Sequence, residues 1–200
     1  AGDTVVVKGG TYNEAVAIAK GGSATARLTI TAAQGENPVI DGSSLSSIAT
    51  DGLVQIKDNI NYITFNGFTV KKSPNMGIAN RGSNNIISNN KVLLSYDTAI
   101  WHRIGSNTVF TGNEVYFNQR MNSTSSSDTG ITCSSSTTWW PAALNSQKDE
   151  GTGTVWKNNI VHNNCGEGVV ANKHDQIIGN TFYDNWSINI YLDEATDVIV

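Results

Sequence analysis

No stretch of this chain stays apolar for the ~20 residues that a membrane-spanning helix needs, so no membrane insertion is expected. Basic patches are missing as well. The 13 Lys and Arg residues are scattered among 17 Asp and Glu, for a net charge of −4, and that balance argues against nucleic acid as a partner. Cysteine is nearly absent, with only Cys133 and Cys165. The three histidines, His102, His162 and His174, have no metal-ligand spacing, so no metal site is assigned. Helical periodicity is lacking too. What remains is a chain of short apolar runs, such as Asn61–Phe65 and Thr108–Thr111, separated by Asn, Gly, Ser and Asp.

An asparagine recurs through these runs with a fixed phase. Asn66, Asn90, Asn113, Asn158 and Asn180 each precede an apolar residue by two positions and follow another by three. Their spacings are 24, 23, 45 and 22 residues, so the long one is an ordinary period plus extra chain of similar length. A period near 23 with strand-like runs predicts a β-solenoid in which every strand pairs with its equivalents above and below. The recurrent Asn suits the turn between strands, because it tolerates left-handed backbone and can donate to its neighbour in the stack. A second polar turn repeats more loosely as Lys71, Ser95, Asn118, Asn163 and Asn185. At this period the 200 residues form roughly eight coils, read as a single all-β domain over 1–200.

These Asn-x-apolar repeats resemble the right-handed parallel β-helix (pectate-lyase-like) superfamily. The opening Gly2–Tyr12, the Pro38–Gly42 run, and Gly166–Gly168 with Tyr183–Asp193 are similar to secreted bacterial members. The resemblance implies a right-handed parallel β-helix, an extracellular polysaccharide as partner, and a secreted or cell-surface location. Lyases of this kind abstract a proton beside a uronate carboxylate, with a Lys or Arg base and Ca²⁺ or Arg to neutralise the acid. Ca²⁺ is therefore a cofactor the resemblance allows, although no tight Asp cluster stands in the sequence. The chain opens at Ala1 already on the first coil, as if a leader had been removed, and Thr196–Val200 reads as the start of another coil. A fragment of a longer chain is one expectation, and end-to-end self-association of exposed strand edges is another.

Aligning Leu144 with Ile100, Val169 and Ile190 leaves residues 119–140 as surplus, rich in Ser and Thr and ending in Trp139-Trp140-Pro141. An inserted loop is expected there, with a degenerate coil as the alternative. Two free buried thiols are the ordinary outcome for so few cysteines. However, Cys165 lies at the turn that the surplus chain leaves one coil below, so a Cys133–Cys165 disulfide is geometrically reasonable.

The same alignment gathers Trp101, Trp140, Trp186, Asn189 and Tyr191 on one flank as candidate sugar-binding residues. Glu167, Asp97, Asp193, Lys173, His102 and Arg103 are the candidate acids and bases beside them. A glycan would then run up the stack, because sugars repeat at about the coil spacing of ~4.8 Å. The leading expectation is a protein that binds, and processes as lyase, epimerase or hydrolase, an extracellular polysaccharide. The alternative is a structural or adhesive rod, tailspike-like and without catalysis.

Overall fold

The computed structural model describes residues 2–134, 140–148 and 150–200. Three seven-stranded parallel sheets run the length of the chain, and each coil contributes one short strand to each of them. The first sheet begins with Thr4–Val7 and ends with Gln176–Ile178; the second runs from Gly10–Tyr12 to Thr181–Tyr183; the third runs from Val16–Ile18 to Ile190–Leu192. Beyond these, Ile199 makes an isolated parallel bridge to Gln176. The described residues contain no helix long and apolar enough to cross a membrane. The architecture is the parallel β-helix expected from the repeat.

One coil has no interior of its own, so the core is built from columns. Phe65, Ile87, Phe110, Trp156 and Ile177 lie in register on the first sheet. Phe110 and Trp156 stack at 4.3 Å between ring centroids, and both are fully buried. The indole N–H of Trp156 donates to Ser146 Oγ at 3.3 Å, so its one polar atom is not stranded.

The turn between the first two sheets has a two-residue rule. Gly67, Asn89, Gly112, Asn158 and Gly179 have φ of 85°, 53°, 66°, 53° and 63°, the left-handed region open to Gly and Asn. Space reinforces conformation at Gly112 and Gly179, where a Cβ would come within 2.6 and 2.7 Å of the side-chain oxygens of Asn89 and Asn158. The next residue carries the stacked amide. Asn90 Nδ2 donates to Asn113 Oδ1 at 3.1 Å, Asn113 Nδ2 to Asn159 Oδ1 at 3.0 Å, and Asn159 Nδ2 to Asn180 Oδ1 at 2.9 Å. The backbone N–H of Phe68 donates to Asn90 Oδ1 at 2.9 Å and closes the lower end.

Two members of the expected column are therefore corrected. Asn158 is the left-handed residue and Asn159 the stacked one, because Val161 is buried while Ile160 is exposed. Asn66 lies two positions early, at the end of Ile63–Asn66, where its Oδ1 accepts from Ser88 Oγ and Asn89 Nδ2. Phe68 takes its place in the column. The second turn obeys the same rule: left-handed Leu94, Phe117, Asn163 and Asp184 precede Ser95, Asn118, Asn164 and Asn185. Asn118 Nδ2 donates to Asn164 Oδ1 at 3.0 Å, and Asn164 Nδ2 to Asn185 Oδ1 at 2.9 Å. Asn163 thus slips by one position, as Asn158 does, and Lys71 lies outside the column.

After Asn118 the chain leaves the coil through a 3-10 turn, Arg120–Asn122, into an antiparallel hairpin of Ser123–Ser127 and Gly130–Cys133. Cys133 is disulfide-bonded to Cys165, with their Cα atoms 5.2 Å apart. Asp128 at the hairpin turn pairs with Lys72 at 2.8 Å and Lys71 at 3.6 Å. Residues 135–139 of the expected loop, Trp139 included, lie outside the described residues.

Candidate active site

The third sheet places the candidate residues. Its pairing sets Ile100, Leu144, Val169 and Ile190 in one buried or half-buried column, and the following residues, Trp101, Asn145, Val170 and Tyr191, in the next. A cavity of about 300 Å³ opens on this face. Asn145, Val170 and Tyr191 form its middle. Trp140, Pro141 and Glu167 line one end, and Gln147, Lys148, Asn172 and Asp193 line the other. Glu167 opens its strand, Glu167–Ala171, whereas Asp193 follows the strand Ile190–Leu192 one coil up. The two acids flank the cavity from opposite strand ends rather than sitting side by side.

Burial pushes the Glu167 carboxyl up to about 7 from 4.5, and the negative charge of Asp193 adds to the effect. Among the described residues no hydrogen-bond donor offsets these two influences. At neutral pH Glu167 is thus divided between acid and carboxylate, the condition in which a side chain both gives and takes protons. Lys148 reaches Glu194 at 2.6 Å across the opposite rim. Asn172 is buried and spends its Nδ2 on the Ser146 carbonyl, while its N–H donates to Asp175 Oδ2 at 3.0 Å. Asp175 also accepts from the Thr154 N–H at 2.8 Å, so it serves the turn and not the cavity.

A family model of the Pel9A-like right-handed β-helix region matches residues 1–197. The chain belongs to that family. Two solved structures share the fold: the crystal structure of pectate lyase Pel9A and a rhamnogalacturonan lyase. The first is 17% identical, with a TM-score of 0.65 over 88% of this chain and 46% of the other. The second is 13% identical, with a TM-score of 0.70 over 100% of this chain and 57% of the other. The chain thus spans about half the length of each. No curated protein matches it in sequence.

Within this Pel9A-like coil the expected site divides. Trp140, Glu167, Tyr191 and Asp193 line one cavity. Trp101 does not join them, because it is 6% exposed beneath the Arg103 guanidinium, 4.8 Å from its ring, with its indole N–H on Gln147 Oε1 at 3.2 Å. Arg103 is itself paired with Glu150 at 2.9 Å. His102 points inward and is fully buried, with Nδ1 2.8 Å from Asn80 Nδ2, and burial holds its imidazole down to about 4. It is a neutral core histidine. Asp97 accepts from its neighbour Thr98, through the Thr98 N–H at 2.7 Å, and is not among the residues that line the cavity.

Trp186 borders a different hollow beside Ile131, Cys133 and Asp184. Asn189 accepts from Asn185 Nδ2 at 2.9 Å and extends the second turn's column. Lys173 belongs to the third turn, where its carbonyl accepts from Gly153 N–H at 3.1 Å. His174 there is left-handed and stands 3.5 Å from Asp197. The sequence reading missed Lys148, Asn145 and Gln147 as cavity residues. The aligned register had already put Asn145 level with Tyr191, and Gln147 level with Asp193.

The calcium expectation is tested by the donor set. Among the described residues no group of three or more His, Cys, Asp and Glu converges. The cavity offers two carboxylates at opposite ends, whereas a calcium site gathers six to eight oxygens around one point. These residues do not fit that ion, and no step is derived through it.

Proposed function

We propose that this chain is the β-helical part of a polysaccharide-cleaving protein that holds its substrate on the outer face of the third sheet. The observation that carries the reading is one cavity in which Trp140 and Tyr191 stand beside Glu167 and Asp193. Aromatic faces accept the C–H faces of sugar rings, and the amides of Asn145 and Gln147 suit their hydroxyls. Because the acids stand at opposite strand ends, a sugar chain seated between them runs along the strands and not up the stack.

Glu167 is the acid–base group of this proposal. Its raised pKa keeps a proton available near neutral pH for the glycosidic oxygen as its C–O bond breaks, while the carbon side is completed either by loss of a neighbouring ring proton, leaving a double bond, or by addition of water. Burial holds that pKa up, and the charge of Asp193 adds to it. A secreted or surface setting belongs to the same proposal, supported by the Cys133–Cys165 disulfide, since such bonds persist in oxidising compartments. The fold shared with two polysaccharide lyases agrees with it.

The test is incubation with pectate, rhamnogalacturonan and neutral polysaccharides, following new reducing ends and the absorbance of an unsaturated product. Cleavage is expected on at least one substrate and is expected to vanish in Glu167→Gln. Absorbing product assigns elimination, and reducing ends without it assign hydrolysis. Full activity in Glu167→Gln, or no cleavage of any substrate by the unaltered protein, would remove the catalytic reading.

A further inference from the structure

A second cavity, of about 330 Å³, lies between the hairpin and the turn that joins the second and third sheets, and shares no lining residue with the Glu167 cavity. Arg120, Lys72, Ser43, Ser126, Ser127 and Leu94 contribute to its lining. Arg120 is the unusual member. Its Nε donates to the Leu94 carbonyl at 2.6 Å and its Nη2 to the Ser73 carbonyl at 3.1 Å. A guanidinium has five N–H donors, and these two bonds go to neutral oxygens. Among the described residues no carboxylate pairs with it.

Neighbouring charges do not make up the deficit. Lys72 pairs with Asp128 at 2.8 Å, and Lys71 with Asp41 at 3.3 Å. Three cations thus face two carboxylates, and the surplus positive charge is Arg120's. Burial disfavours that charge and lowers the guanidinium's pKa, yet Arg stays ionised at any physiological pH. A half-buried cation with no paired carboxylate among the described residues, lining a hollow that Ser43, Ser126 and Ser127 also line, is an incomplete ion pair.

We propose that this cavity is an anionic-sugar subsite, in which Arg120 takes the carboxylate of a uronate residue and Ser43, Ser126 and Ser127 meet its hydroxyls. The planar guanidinium fork matches a carboxylate with two parallel hydrogen bonds. The cavity volume is at the lower end of the range for small ligands and accommodates a single ring. The subsite rests on its own residues and stands whether or not Glu167 is catalytic.

The test is titration of the ¹⁵N-labelled protein with digalacturonate, with neutral galactobiose and with sodium sulfate, watching the backbone amides of Ser126 and Ser127. Digalacturonate is expected to shift these amides, with an affinity that falls as salt is raised, and galactobiose at the same concentration is expected to leave them in place. Arg120→Gln should raise the Kd at least tenfold. Because Arg120 also holds two turn carbonyls, Ser127→Glu is the second variant: it keeps Arg120, places a carboxylate in the cavity, and should abolish the shifts. Glu167→Gln should bind digalacturonate here as the unaltered protein does. Absent shifts, an equal response to galactobiose, or shifts that survive in both Arg120→Gln and Ser127→Glu would overturn the subsite. Sulfate binding as tight as digalacturonate would overturn the uronate assignment and leave a plain anion site.

Discussion

Replacing Asn159 with Ala separates a stacked amide from an ordinary turn asparagine, because its neighbour Asn158 supplies the control. Asn159 Nδ2 donates to the Phe110 carbonyl at 3.0 Å, and its Oδ1 accepts from the Asn113 N–H at 2.9 Å and from Asn113 Nδ2 at 3.0 Å. Phe110 is fully buried and Asn113 is 1% exposed, so solvent has little access to the vacated partners. Each buried group left unpaired costs about 1–3 kcal/mol, and two backbone groups are orphaned together. Asn159→Ala should therefore lose about 2–6 kcal/mol of unfolding free energy by urea titration. Asn158 has φ 53°, a conformation Gly adopts freely, so Asn158→Gly should stay within about 1 kcal/mol of the unaltered protein. Equal losses in the two variants, or the larger loss in Asn158→Gly, would refute the two-residue rule.

Replacing Cys133 and Cys165 together by Ser reopens a loop of 32 residues, which should cost about 3–4 kcal/mol and lower the Tm accordingly. Trp140→Ala should weaken glycan binding by about 1–3 kcal/mol by calorimetry with little change in Tm, the scale of a lost aromatic anchor. Glu167 also makes folding pH-dependent. Its pKa in the fold, about 7, exceeds the ordinary 4.5, so the folded state binds more protons between those values, and stability falls as pH rises from about 4.5 to about 7. Urea titrations across that range should show a smaller decline in Glu167→Gln than in the unaltered protein.

The fold was legible because stacking is periodic. A recurrence near 23 residues has few physical explanations, and the alignment of Ile100, Leu144, Val169 and Ile190 is the pairing the sheet adopts. The phase of single residues was harder to read. Where two asparagines adjoin, as at Asn158-Asn159 and Asn163-Asn164, both suit a turn, and only burial of Val161 against exposure of Ile160 decides between them. Phe68 hid the lower end of the column, because an aromatic stands where an amide was sought.

The site was partly legible for a related reason. Register tells which residues share a level, so Glu167, Tyr191 and Asp193 came out on one flank. It does not tell which way a side chain turns or what covers it. Trp101 is on the right column yet lies beneath Arg103, and His102, one residue on, faces the core. Arg120 carried no signal in the sequence, since its lack of a counter-ion is visible only once the hairpin is folded back.

The most direct test of the proposed site is a crystal structure of the Glu167→Gln protein with a rhamnogalacturonan oligosaccharide bound. Sugar rings are expected against Trp140 and Tyr191, running along the strands, with a glycosidic oxygen within hydrogen-bonding reach of residue 167. Oligosaccharide found only elsewhere on the molecule, with the outer face of the third sheet empty, would contradict the assignment.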